Sequence, residues 1–137
     1  MSLFNIFSIS GSAMSAESLR LNTTASNLAN AQSIGSSEAT TYRAKNPVFA
    51  AMMQSLQGDN VSFGVEVKGV VDSTTPLETR YQPEHPMANE EGYVFLPNVN
   101  VVDEMANMIS ASRAYQSNVE VLNTSKQLMM ATLRLGQ

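Results

Sequence analysis

The chain contains one histidine, His85, set in Pro83–Glu84–His85–Pro86. A carboxylate beside an imidazole is the start of a general-base pair. A catalytic site also needs a nucleophile, a second titrating group or a cofactor loop within reach. The residues around His85 supply none, so an exposed loop histidine is the stronger reading. Two acid pairs, Glu90–Glu91 and Asp103–Glu104, carry the oxygen ligands a divalent cation prefers. Their acids are adjacent rather than spaced as in a calcium loop, which favours solvated surface and helix N-terminal charge. Gly11–Ser12 and Gly35–Ser36–Ser37 lack the Gly-Lys-Ser/Thr ending of a phosphate loop. There is no Gly-x-Ser-x-Gly elbow. Met14, Met105, Met108 and Met129 could line an adaptable peptide groove, but helical core or a subunit interface explains them better. The sequence therefore predicts no catalytic residue, no cofactor and no metal.

Composition narrows the classes further. The 137 residues carry a net charge of −4, and 15% are charged, against roughly 25% in an ordinary soluble domain. Eight Lys and Arg against twelve acids argue against nucleic acid, which needs a basic face. The absence of Cys removes disulfides, thiolate zinc sites and Cys nucleophiles. No basic segment precedes an apolar core at the start, since the first cation is Arg20, so no signal peptide of the usual kind is expected. No apolar run reaches the roughly 18 residues of a membrane span. On those grounds alone the expectation is a cytoplasmic protein of one domain.

The elements that must position any functional surface are set by uneven patterning. From Met1 to Ser37 only Glu17 and Arg20 are charged. Between Gln57 and Glu104, nine acids meet only Lys68 and Arg80. A long helix without a charged face is better surrounded by protein than by water. Phe7, Met14, Leu21 and Leu28 recur every seven residues, with Leu3 extending the stripe and small Gly11, Ser18 and Ala25 four positions after its members. A sustained seven-residue repeat keeps one seam facing a partner. This predicts a helix over 1–32, capped by Ser2 or Asn5 and stopped by Gly35. A second helix is predicted over 98–137, starting after Pro97 with Asn98 or Asn100 as its cap and Gly136 as its stop. Its seam is Val101, Met108, Tyr115, Leu122 and Met129, with Met105, Ser112, Val119, Lys126 and Leu133 four residues later. Such a helix is about 55 Å long, more than the roughly 40 Å diameter of a globule of this chain length.

The segment 33–97 reads as linker and β structure. Ser33 to Thr41 is polar with turn residues. An apolar run, Val48 to Met53, precedes an alternation of Val61, Phe63, Val65 and Val67 with polar residues, the pattern of a half-buried strand. Leu77, Thr79 and Tyr81 alternate more weakly, and Tyr93 to Leu96 is a further strand candidate beyond the Pro83, Pro86 and Gly92 loop. The expected fold class is mainly α with a small β insert. Its long terminal helices pair in a coiled-coil-like tube and the β-rich segment lies outside. A two-helix hairpin closed within one monomer is the plainer alternative.

The segment Leu21-Asn-Thr-Thr-Ala-Ser-Asn-Leu-Ala-Asn-Ala31 resembles the N-terminal motif of the flagellar rod, hook and hook-associated axial proteins. Their usual Thr-Pro-Gly-Tyr turn is replaced here by Ser33 to Thr41, leading into Tyr42-Arg-Ala-Lys45 and Val48-Phe49. In this the chain is more similar to the proximal-rod branch than to its other rod and hook relatives. Asn5-Ile-Phe7, Gly11-Ser-Ala13, Gly92-Tyr-Val94, Pro97-Asn-Val99, Val101-Val-Asp-Glu-Met105, the run Ser110 to Thr124 and the ending Thr132 to Gln137 carry the same resemblance. It implies a structural subunit, not an enzyme, of a hollow helical rod in the basal body. That rod crosses the periplasm and transmits torque. The terminal helices form the inner tube. Export runs through the flagellar type III apparatus without a cleaved signal. The implied partners are further copies, other rod proteins, the membrane (MS) ring with its rod adaptor, and the distal rod.

On that reading, Phe7, Met14, Leu21, Leu28 and Met105 are expected to pack within and between subunits, together with Met108, Tyr115, Val119, Leu122 and Met129. Asn27, Asn30, Arg113, Gln116, Asn118 and Asn123 are the expected polar contacts that set register. The alternative from another class is a soluble coiled-coil adaptor or chaperone of a secretion system.

Overall fold

A 28-residue helix and a 35-residue helix bracket two small sheets in the computed structural model, which describes residues 3–55 and 61–135. The order is α1 (Leu3–Asn30), β1 (Lys45–Ser55), β2 (Val61–Asp72), β3 (Glu78–Tyr81), β4 (Tyr93–Leu96) and α2 (Val101–Leu135). This is the mainly helical architecture with a central β segment that the patterning predicts. At 1.5 Å per residue α2 is about 52 Å long, so it outruns any globule the chain could form.

The helix ends show which capping signals operate. At α2, Asn100 is the cap: its side-chain oxygen accepts the Val102 N–H at 3.0 Å, and its carbonyl accepts the Glu104 N–H. Asp103 and Glu104 then lie in the first turn, where the helix dipole favours acid. Asn98 is not the cap. It accepts the Ala44 N–H at 2.8 Å and donates to the Thr75 carbonyl at 2.7 Å, tying three connecting segments together. At α1, Asn5 lies inside the helix and is buried, so it is not the N-cap. Ser2 and Gly136 lie outside the described residues. The C-terminal end of α1 is closed by side chains rather than by glycine. The Asn30 amide donates to the Ser26 carbonyl and the Ser33 hydroxyl to the Asn30 carbonyl, each at 2.8 Å. Gly35 instead exchanges both backbone hydrogen bonds with Phe95, at 3.0 Å each, which adds a bridge to the edge of β4. A Cβ there would run into Thr41, and that close approach is why glycine is needed.

The helices pair antiparallel, with Asn27 meeting Glu104 and Arg20 meeting Asn107. On α2 the covered stripe is Glu104, Met108, Ala111, Tyr115, Asn118, Leu122, Ser125 and Met129, all buried or half-buried. On α1 the buried positions are Asn5, Ser10, Ala16, Thr23, Thr24 and Asn27, while Ser12 faces β2. The position spaced by seven from Met108 to Met129 is thus as expected. Its companions lie three residues on, at Ala111, Asn118 and Ser125, and not four. Of the expected companions, Met105, Lys126 and Leu133 are exposed while Ser112 and Val119 are half-buried. Residues at i+3 and i+4 both neighbour i on a helix, so spacing alone cannot choose between them. The choice falls to the small side chains, which let two backbones approach.

The strands β1 and β2 form an antiparallel hairpin whose register shifts between Val48 and Phe49. Lys45 and Asp72 close its open end at 3.1 Å. The hairpin runs back along α1, whose Ser12 hydroxyl accepts the Val65 N–H at 3.2 Å. The predicted strand is present, but the apolar side of its alternation is not half-buried throughout. Phe63 is 60% exposed and Val67 37%, because no other described element covers these side chains.

Strands β3 and β4 pair antiparallel over Glu78–Tyr81 and Tyr93–Leu96, with Val94 fully buried. Tyr81 and Tyr93 meet edge to face, ring centres 5.2 Å apart. Gly92, which precedes β4, has φ +82°, and a Cβ on it would lie 2.9 Å from Tyr81 Cε2. Gly92→Ala is therefore expected to cost about 2 kcal/mol from left-handed strain plus the clash. A lowered melting temperature of the purified chain would show it; an unchanged one would mean the loop yields freely.

Candidate assembly interface

The residues with the most to offer chemically are not gathered into a site. His85 accepts the Met87 N–H on Nδ1 at 3.1 Å, a bond internal to its loop, and Glu84 is exposed. Among the described residues no three His, Asp or Glu side chains converge as a metal would require. No described helix is long and apolar enough to cross a membrane.

What the fold does assemble is a polar junction under the helix pair. Asn27 is 1% exposed and makes four hydrogen bonds. Its Nδ2 donates to the Lys45 carbonyl at 2.9 Å and to Glu104 Oε1 at 3.1 Å. Its Oδ1 accepts the Tyr42 hydroxyl and the Lys45 N–H, both at 2.9 Å. One amide thereby joins the end of α1, the start of β1 and the start of α2, with every donor and acceptor used. Tyr42 also bonds Ser26 at 3.2 Å. Among the other expected register residues, Asn30 closes its own helix and Asn118 donates to the Ala114 carbonyl at 2.9 Å. Arg113, Gln116 and Asn123 are exposed. The sequence singled out Tyr42 and Lys45 only within a motif, Glu104 as helix N-terminal charge and Asn98 as a cap, and nothing in it pointed to these contacts. Their partners lie 15 to 77 residues away, beyond the reach of any period.

The packing residues divide in two. Phe7, Met14, Leu21 and Leu28 on α1 are half-buried, as are Met108, Tyr115, Val119, Leu122 and Met129 on α2. Met105 is 52% exposed and points away from α1 with Val102 and Ile109. Among the described residues the buried apolar ones are Ala16, Ala44, Val94 and Ala111. Large apolar side chains instead line three outer faces: Phe49, Met53, Phe63 and Val67 on the hairpin, Val102, Met105 and Ile109 on α2, and Val121 and Leu128 further along it. The chain exposes 9328 Å², whereas a compact monomer of this length exposes about 7,000 Å². The excess of about 2,300 Å² is well above the ~800 Å² each partner contributes to a standard interface. Apolar patches of this kind mark contact surfaces.

An elongated chain with a polar, small-residue interior and apolar outer faces is a subunit of a larger assembly, completed by its neighbours. Comparison with known proteins makes the class specific. Residues 7–32 match the family described as flagella basal body rod protein. Residues 90–135 match that described as flagellar basal body rod FlgEFG protein C-terminal. The chain is 53% identical over 137 residues to the flagellar basal-body rod protein FlgC of Yersinia enterocolitica, covering all of both chains. It is 50% identical to that of Salmonella typhimurium, again over the whole of both. To that of Buchnera aphidicola from Schizaphis graminum it is 46% identical over 141 aligned positions, also end to end. The chain belongs to the FlgC family of flagellar basal-body rod proteins. None of these relatives is an adaptor or chaperone.

Proposed function

We infer that the chain is a structural subunit of the bacterial flagellar basal-body rod, in its proximal part. It builds the rod by helical stacking with copies of itself and with other rod proteins. The observation that carries this is the inverted packing. Small and polar side chains fill the interior, and large apolar ones face outward where neighbours would cover them. Head-to-tail contacts of this sort generate an open helix when the rotation does not close. The paired α1 and α2 fit the wall of an inner tube, with the two small sheets outside it. The MS ring with its adaptor lies at one end of the rod and the distal rod at the other, and torque passes between them. Delivery is by the flagellar type III apparatus. No catalysis is assigned to Glu84 or His85.

Deleting the chain's gene is expected to leave basal bodies without rods by electron microscopy and cells without motility. Leu28→Asp tests the packing role residue by residue. Leu28 on α1 is half-buried, and a carboxylate there would have to be desolvated when a neighbour docks, at several kcal/mol. Secretion of the variant into the medium without completed rods is the expected result. Normal motility with complete basal bodies would refute the assignment.

A further inference from the structure

We propose that the apolar face of the β1–β2 hairpin of one copy seats on the outward face of the first half of α2 in a second copy of the chain; this rests on the rod-subunit reading above.

Register places Phe49 opposite Val67, Ala51 opposite Val65 and Met53 opposite Phe63, so these six share one face of the sheet. The other face differs in kind, carrying Gly64 and the Glu66–Lys68 ion pair at 2.8 Å. On the first face Met53 is 68% exposed and Phe63 60%. The hairpin packs along α1 through both strands, and at its inner end Phe49 borders a small pocket with Arg20 and Thr24 of α1 and Glu104 and Asn107 of α2. Beyond Phe49, no other described element covers Met53 and Phe63.

On α2, Val102, Met105 and Ile109 follow one another at three- and four-residue steps and form one helical face. They are 73%, 52% and 56% exposed, and α1 covers the opposite side of the helix. The two faces match in length. Phe49 to Met53 spans about 13 Å of strand and Val102 to Ile109 about 10 Å of helix. A helix laid on a sheet is also a standard two-layer packing.

The excess of exposed area and the symmetry select the occupant. A sheet-to-sheet contact between two identical hairpins would close a dimer and use only one face per chain. That leaves the α2 face open to water, on a chain whose exposed area exceeds that of a compact monomer by about 2,300 Å². A hairpin-to-α2 contact uses two different faces on every chain and buries both patches with one kind of joint. It is heterologous, so it propagates rather than closes.

The absence of native cysteine makes the test clean. Cells would co-express the full chain as Met53→Cys and as Met105→Cys with different tags. Isolated basal bodies would then be treated with a short bismaleimide. The expected result is a two-chain adduct carrying both tags, none from either variant alone, and a ladder of higher adducts from the double variant. An adduct from Met53→Cys alone would establish the closed sheet-to-sheet contact and overturn the proposal. So would complete rods that give no adduct with this pair or with Phe63→Cys and Ile109→Cys, and in that case the rod assignment stands. Absence of the chain from the rods, by immunoblot and electron microscopy, would overturn both.

Discussion

Replacing Asn27 with alanine is expected to destabilise the chain by about 3–4 kcal/mol, because it strands partners that are largely desolvated. The Lys45 N–H and carbonyl, the Tyr42 hydroxyl and Glu104 Oε1 all lose their bond to this one side chain. An unpaired buried group costs about 1–3 kcal/mol, and the four do not add fully because water reaches some of them. A fall of about 10 °C in melting temperature follows for a chain of this size. Thermal unfolding followed by circular dichroism, alongside incorporation into basal bodies, measures it. An unchanged transition would mean that the junction is not a stabilising element.

Asn27→Asp sharpens the test through pH. The introduced carboxylate cannot donate to Lys45 or Glu104 and sits against the Glu104 carboxylate. Like charge and burial raise its folded-state pKa above the unfolded value of about 3.9. Protonation restores a donor. The stability linked to this group is therefore fully present below the unfolded pKa and is lost as pH rises through the raised folded one. The variant should become more stable on mild acidification. Insensitivity to pH between about 4 and 7 would contradict the geometry.

The second large effect separates folding from assembly. Ile109 is 56% exposed on the side of α2 away from α1. Ile109→Asp should change the stability of the isolated chain by no more than about 0.5 kcal/mol, as at other surface positions. In the assembled rod the same carboxylate would be buried without a partner, which costs about 3–5 kcal/mol. Three kcal/mol is a weakening of more than a hundredfold per contact. The expected phenotype is a normally folded, secreted protein, no completed rods and no motility, with Ile109→Leu retaining all three. Motile cells with complete rods would show that this face meets water in the assembly.

Several features of the fold were legible in particular residues. The helix starting just after Asn100 and the seven-residue repeat from Met108 to Met129 could be read from spacing. So could the strands at Tyr93–Leu96 and around Phe63 to Val67. The pairing partner within the helix contact could not. Ala111 and Ser125 are inconspicuous beside Met105 and Leu133, and a search for apolar seams selects the larger residues. Here the larger ones face outward. Gly35 looked like a helix stop and serves as a bridge to Phe95; the last turn of α1 is closed instead by Ala31 and Ser33, which donate to the Leu28 and Asn30 carbonyls.

The sequence by itself determined the two long terminal helices and the β-rich segment between them. Periodicity, capping and composition are local, and a helix or strand answers to them directly. Only the tertiary structure decided what the interior is made of. Asn27, Tyr42, Lys45 and Glu104 converge from positions up to 77 residues apart, and hydrogen bonding of that kind leaves no repeat in the chain. Because small and polar side chains close the helix pair, many of the large apolar ones are left on the outside.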